Sequence, residues 1–294
     1  MKSVRESEAS VQRDETDSQS EGLLGKRLVD SGTLSAKDVG RIVVAQREQG
    51  LLFGEAALSL GLVTESELQR ALAEQYAYPY AERGVSRLSS QLFAAYEAAG
   101  DRSESIRALR SQLLLRWFND QRKVIVVTSP RRGQGASTIA GNLAVSFAQL
   151  GERTLLIDAN LRTPKQHELF GLDNSVGLSS VLSGRALPNA AFMNIASFKN
   201  LLVMCSGPPP VNPQELLGRV AFSYLVETAP AAFDVVVIDT PPILEYSDAQ
   251  LVVAIAQGCI LSLKQNRTTL ADVESSKTEI EPTGATLIGT VLNA

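Results

Sequence analysis

Residues 123–150 read KVIVVTSPRRGQGASTIAGNLAVSFAQL. The segment opens with a β-branched aliphatic run, Lys123 to Thr128, of strand length. It closes on Ile139, Leu143, Phe147 and Leu150, which recur at helical spacing and define one apolar face. Between them, SPRRGQGAST (129–138) carries Gly133 and Gly135 just before the helix. Strand, glycine turn and helix form the frame in which backbone N–H groups at a helix N-terminus hold phosphate. Ser137 takes the hydroxyl position that binds Mg²⁺ in such loops, with Thr138 after it, whereas Ala136 stands where a lysine reaches the β- and γ-phosphates. A GxG before a helix is a weak signal alone, so the rest of the chain has to decide it.

Downstream, the aliphatic runs RTLLIDA, NLLVMCS, FDVVVID, GCILSLK and TLIGTVLN alternate with helical stretches. Near-continuous runs of this kind suit strands buried on both faces of a parallel sheet. The fold expected is α/β, a doubly wound and mostly parallel sheet whose ligands sit beyond the strands' carboxyl ends. Two of those ends carry chemistry. LLIDANLRTP delivers Asp158, with Asn160 and Arg162 following, and VVVIDTPP delivers Asp239. Either aspartate could cap its own turn. Three such segments, in this order, point to a nucleotide site.

The first part of the chain differs. LGKRLVDSGTLSAKDVGRIVVAQ (24–46) and FGEAALSLGLVTESELQRALAEQ (53–75) align, pairing Gly25 with Gly54, Gly32 with Gly61, Arg41 with Arg70 and Gln46 with Gln75. Ser35 and Thr64 sit where helix N-caps belong, with Asp38 and Glu67 three residues on. Each copy reads as a short helix, a glycine stop and a second helix, and stacking two copies buries faces that one alone would expose. The expected organisation is a disordered tail at 1–21, a helical tandem-repeat domain at 22–82, a linker at 83–101 marked by glycine and serines, and an α/β domain at 102–294.

Composition excludes several classes. The 294 residues are 44% hydrophobic and 20% charged with a formal net charge of −4, giving no electrostatic reason to expect nucleic acid. Cys205 and Cys259 match no metal spacing and read as buried thiols rather than a disulfide. His167 is the only histidine, which rules out multi-histidine metal sites. The polar N-terminus is no signal peptide, and LVVAIAQGCILSL is too short and interrupted to span a bilayer. A cytoplasmic protein is expected.

Taken together, SP…GxG-x-ST…NLA, LLIDAxLRxPxQH and DVVVIDTPP resemble the bacterial tyrosine kinases of capsule and exopolysaccharide synthesis, relatives of the MinD/ParA-type ATPases. With the repeat, GLSSVLSGRA and PPPVNPQELL included, the layout is similar to the EpsG-type chain-length-determinant kinases from about residue 22 onward. The resemblance implies a P-loop NTPase domain using ATP and Mg²⁺. It implies a phosphate cradle at Gly133, Gln134, Gly135, Ala136, Ser137 and Thr138, with Arg162 also at the nucleotide. Ser137 and Asp239 would hold the metal, and Asp158 would act as the base facing an acceptor tyrosine. It further implies a membrane-bound polysaccharide co-polymerase as partner, recruitment to the inner membrane, and homo-oligomers with contacts at Glu104, Arg107 and Arg110.

Three departures set an alternative beside the kinase reading. Ala136 replaces the lysine, Gln134 stands at a usual glutamate, and Asn160 replaces the second aspartate. Losing one preorganised donor costs on the order of 10²–10³ in rate, and two independent losses about 10⁴. A catalytically impaired pseudokinase that senses nucleotide or acts as a scaffold is therefore the rival, followed by a MinD-like ATPase using Arg131. Arg131 or Arg132 could compensate for the lysine. The resemblance implies phosphorylation of a C-terminal tyrosine cluster, but the last tyrosine here is Tyr246, so that route is not expected; Tyr76, Tyr78 and Tyr80 are the only grouped tyrosines. The repeat resembles the N-terminal domain of type II secretion ATPases, but Leu23 and Leu52 replace the arginines that open its motifs, so cyclic di-GMP binding is not expected.

Overall fold

The computed structural model describes residues 24–26, 28–65, 67–68, 71, 79–98 and 100–293. The expected tail at 1–21, the Arg70 and Gln75 matches, and Tyr76 and Tyr78 lie outside the described residues. Two compact units emerge, Met1–Pro79 and Tyr80–Ala294.

In the first unit the repeat governs local structure. Helix α1, Ala36–Gln49, starts at Ser35, whose hydroxyl accepts from Asp38 N (3.3 Å) while the Asp38 carboxylate takes Ser35 N (3.1 Å). Thr64 and Glu67 repeat the exchange at 3.3 and 2.7 Å. Two orphaned amides are satisfied at each end, which is what a capping box supplies. Gly32 and Gly61 both adopt φ near the left-handed region, +76° and +62°, where any side chain would be strained. The other repeated glycines allow close packing. A Cβ on Gly25 would press on Phe53, the first residue of α2 (Phe53–Ser59), and one on Gly54 would press on Leu68. Leu28, Ile42, Phe53, Ala56 and Leu68 share one apolar core.

The second unit is built on seven strands: β1 Val124–Thr128, β2 Thr154–Asp158, β3 Phe192–Ile195, β4 Phe198–Met204, β5 Val235–Asp239, β6 Gly258–Lys264 and β7 Thr286–Asn293, in spatial order 3-4-2-5-1-6-7. All pairings are parallel except β3 with β4. β3 is the one strand the aliphatic runs did not announce. It is four residues long, lies at the edge, and is held by a hairpin with β4 rather than by burial on both faces. In the central strands successive residues alternate between two cores. Ile125, Val127, Leu156 and Val237 face one, and Val124, Val126, Leu155 and Val236 face the other. That is why the runs read as continuously apolar.

Helix α3, Asp101–Arg116, packs on α4, Ala136–Gln149. The one-sided apolar face expected for α4 proves too narrow. From Ile139 to Gln149 every residue is buried, and Leu150 at its end is exposed instead. Segment 83–101, expected as a linker, accounts for much of this. Leu92, Phe93, Ala94 and Ala95 are buried in the α4-side core. Asn142, inside α4, accepts from Ala94 N (2.8 Å) and donates to Gln91 O (2.9 Å), and Gln149 donates to Ala94 O (2.8 Å). Buried side-chain amides must find partners, and here they find the backbone of this segment. Cys205 and Cys259 are free and buried, and burial pushes both thiols up to about 12.

Candidate functional site

β1 lies between β5 and β6, and the chain leaves it for β2 on one side before later placing β6 on the other. Such a reversal opens a crevice at the strands' carboxyl ends. The loop after β1 lines it. Gly133 and Gly135 take φ of +77° and +87°, and no side chain caps the first turn of α4. Backbone N–H groups there are left to an incoming anion, with the helix dipole adding to the attraction.

The loop's side chains mostly hold the loop itself. Gln134 is buried. Its Oε1 accepts from Arg131 N (2.9 Å), while its carbonyl receives the Ser262 hydroxyl (2.7 Å) and Asn293 Nδ2 (2.9 Å) from the ends of β6 and β7. A glutamate could accept the same bond, so the change to glutamine leaves the shape intact. Ala136 is 7% exposed and belongs to the α4-side core, supplying no charge. Thr138 sits one residue past Ser137 with its carbonyl bonded to Asn142 Nδ2 (2.8 Å).

Asp158 and Asp239 end neighbouring strands in direct register, both with no exposed surface. They differ in what meets them. Asp158 accepts Asn160 N on Oδ1 (3.1 Å), and Lys165 N (3.0 Å) and Gln166 N (2.9 Å) on Oδ2. Burial still pushes its carboxyl up to about 6, the three amides opposing that rise. Asp239 accepts Gln166 Nε2 on Oδ2 (2.7 Å) and has the Ser137 hydroxyl beside its carboxylate, while Oδ1 has no hydrogen-bond partner among the described residues. Burial first and the Asp158 charge second drive its carboxyl well above the usual range, with the Gln166 amide and Ser137 hydroxyl opposing.

Gln166, the first residue of a short helix (Gln166–Phe170), was not singled out as a site residue. Its Nε2 joins Asp239 to the Ser137 carbonyl (3.0 Å), and its Oε1 is buried with no hydrogen-bond partner among the described residues. The phrase PxQH contained it, but nothing local in sequence marks a residue that bridges two distant strand ends. Asn160 accepts Thr163 N (3.0 Å) and closes its own turn, as an aspartate would, so what is missing there is charge and not architecture. Arg162 turns to Asp248, first residue of the helix Asp248–Ala256, in a two-pronged ion pair at 2.7 and 3.0 Å, and stacks on Tyr246 (4.4 Å). It ties the loop after β2 to the segment after β5.

Of the residues expected on one face of α3, Glu104 and Arg107 pair with each other at 2.6 Å toward solvent. Arg110 points inward, donating to the Ser146 carbonyl (2.7 Å) and hydroxyl (3.2 Å) of α4. A buried guanidinium needs fixed acceptors, and α4 offers them. Arg131 pairs with Asp272 at 2.8 Å.

The arrangement offers backbone donors for phosphate beside an unpartnered buried carboxylate oxygen and a hydroxyl. That donor set is hard and oxygen-rich, and suits a small divalent cation that takes its other ligands from water and phosphate. Among the described residues no group of three or more His, Cys, Asp or Glu forms a metal cage, and no helix is long and apolar enough to cross a membrane.

Comparisons agree with this geometry. A family model described as "ParA: NUBPL iron-transfer P-loop NTPase" matches residues 120–294. The tyrosine-protein kinase YwqD of Bacillus subtilis is 38% identical over 208 residues, spanning 71% of this chain and 87% of its own. Among solved structures, the chimerical protein CapA2B2 superposes with a TM-score of 0.66 at 34% identity, covering 76% of this chain and 98% of its own. The kinase domain of Escherichia coli tyrosine kinase ETK gives 0.66 at 30%, covering 69% and 79%. With a mostly parallel sheet, a glycine loop leading into a helix, and aspartates at two adjacent strand ends, the chain belongs to the bacterial tyrosine kinase family, built on a P-loop nucleotide-binding domain.

Proposed function

We propose that this chain is a Mg²⁺-ATP-binding kinase of capsule or exopolysaccharide synthesis that transfers the γ-phosphate to protein tyrosines and so controls polymer length or export. The observation that carries the reading is the unpartnered Asp239 oxygen, buried beside Ser137 at the mouth of the glycine loop. Ser137 and Asp239 would hold the cation, which when bound neutralises phosphate charge. The N–H groups of residues 133–138 would cradle the phosphates. Asp158, with a carboxyl near 6, is largely ionised at neutral pH and suited to accept a proton from a tyrosine hydroxyl. Its Oδ1 carries one N–H and retains capacity for a second donor. Arg162, engaged by Asp248, would order the rim of the site and not touch nucleotide directly.

Assembly into homo-oligomers through the outward Glu104–Arg107 pair fits the same reading, Arg110 contributing only by fixing α3 to α4. The partner would be a membrane-bound co-polymerase that recruits a cytoplasmic chain to the inner membrane.

Ala136 favours a second reading, a pseudokinase that binds nucleotide and regulates assembly without turnover. Phosphoryl transfer depends on charge stabilisation, and this position offers none. Radiolabelled ATP, incubated with the full chain, a tyrosine polymer and Mg²⁺, separates the two. Label on tyrosine above an Asp158→Asn control supports the kinase. Label equal to that control, with ATP bound at equilibrium, supports the pseudokinase, and no ATP binding ends both.

A further inference from the structure

The loop lacks its lysine, yet a cation crosses it from another part of the chain. β6 pairs with β1, so the segment after β6 emerges beside the loop after β1. Residues 264–268 there form a fixed turn. Thr268 N bonds to the Lys264 carbonyl (2.9 Å), the Thr268 hydroxyl takes Lys264 N (2.9 Å), and Asn266 adopts a left-handed φ of +58°. The next residue, Thr269, caps the helix Leu270–Ile280 in a capping box with Asp272. At this turn Arg267 reaches over Gly133. Its Nη1 lies 3.2 Å and its Cζ 3.8 Å from where a Cβ on Gly133 would stand.

The loop's own two arginines differ from each other. Arg131 is paired with Asp272, and Arg132 meets Glu245 only through its backbone N–H (2.8 Å). Arg267 is exposed, and among the described residues no carboxylate pairs with its guanidinium. An unpaired guanidinium on a hydrogen-bonded turn, lying over Gly133 of the glycine loop, is arranged for phosphate, since arginine offers planar, two-pronged donation. Gly133 is then required twice, by its φ of +77° and by the guanidinium above it.

We propose that Arg267 is the phosphate-binding cation of this site and replaces the ammonium group missing at residue 136. The assignment rests on the nucleotide-binding reading above. It places the charge on the loop's outer side, on the segment after β6, and not at the first turn of α4.

The test is calorimetric titration of the full chain with Mg²⁺-ATP, ADP, AMP and adenosine, comparing wild type with Arg267→Ala, Arg267→Lys, Ala136→Lys and the double variant Ala136→Lys/Arg267→Ala. Arg267→Ala should weaken ATP roughly ten- to hundredfold, ADP less, and adenosine not measurably. Arg267→Lys should retain part of the loss, and adding Ala136→Lys should restore most of it. Equal ATP affinity for Arg267→Ala and wild type would overturn the assignment while leaving the nucleotide site standing. So would a loss of the same size for ATP and adenosine, which marks a structural effect. If wild type binds no ATP while Ala136→Lys does, the site is real and Arg267 is not its cation. If neither binds, the nucleotide reading itself falls.

Discussion

Asp248 and Asp239 are both buried carboxylates near the same rim, and their surroundings are opposite. Asp248 is met by the two prongs of Arg162, at 2.7 and 3.0 Å, and its charge is neutralised within the fold. Asp239 is met by neutral donors, the Gln166 amide and the Ser137 hydroxyl, and by the like charge of Asp158, and its Oδ1 has no hydrogen-bond partner among the described residues. A structural carboxylate carries its counter-charge with it. A carboxylate kept uncompensated costs stability and persists where something else completes it. The contrast separates a strut from a binding group without appeal to sequence alone.

The sharpest way to break that contrast is to make Asp248 resemble Asp239. Arg162→Ala should destabilise the protein by about 3–5 kcal/mol, because it leaves a fully buried charge alone. Urea unfolding measures it, and a loss below about 1 kcal/mol would mean the ion pair is not a strut. The converse change is Asp239→Asn. It should remove the Mg²⁺-dependent part of ATP affinity by about 100-fold, near the upper range for altered metal sites. The same variant should raise ligand-free stability by about 1 kcal/mol or more. Loss of stability together with unchanged affinity would reverse the roles assigned to the two aspartates.

A third effect is in pH. Asp158 has a folded value near 6 against a reference of 3.8, so the folded state holds its proton more tightly than the unfolded chain. Between those values unfolding releases a proton, and stability falls as pH rises. Ligand-free protein should therefore lose on the order of 1–3 kcal/mol from about pH 4 to pH 6. Asp239, raised further, extends the decline above that window. Asp234 behaves in the opposite sense. The Arg153 guanidinium holds it down to about 2, so its contribution is present above 3.8 and is lost only in stronger acid. Denaturant midpoints across this range, with Asp239→Asn as a control that shortens the decline, check the assignment. A rise in stability from pH 4 to pH 6 would contradict it.

What could be read from sequence follows the range of the forces involved. Ser35 and Thr64 announced their helices because a capping box lies within four residues. β1, β2 and β5 announced themselves because both faces are buried. Asp158 and Asp239 could be picked out because strand ends of a parallel sheet converge. The partners that finish the site could not. Asn293, Ser262 and Arg267 meet the loop only through the sheet order, far along the chain from residues 133–135. That the Gln134 side chain braces the loop is likewise invisible in the residue type alone. Glycine and serine around residues 83–101 suggested a linker and gave no sign of the packing of residues 92–95. The contrary signal was in α4, where Asn142 and Gln149 stand in an otherwise apolar helix and need backbone partners.

Asn142 has a mechanical consequence. One amide group, its Nδ2, donates both to Gln91 O and to Thr138 O, 2.9 and 2.8 Å away. The strand of chain entering this unit and the first turn of the phosphate-facing helix therefore hang from the same nitrogen. The Thr138 hydroxyl also donates to Gln91 Oε1 (3.4 Å), so a displacement of residues 91–94 would have to break or carry along bonds to that first turn.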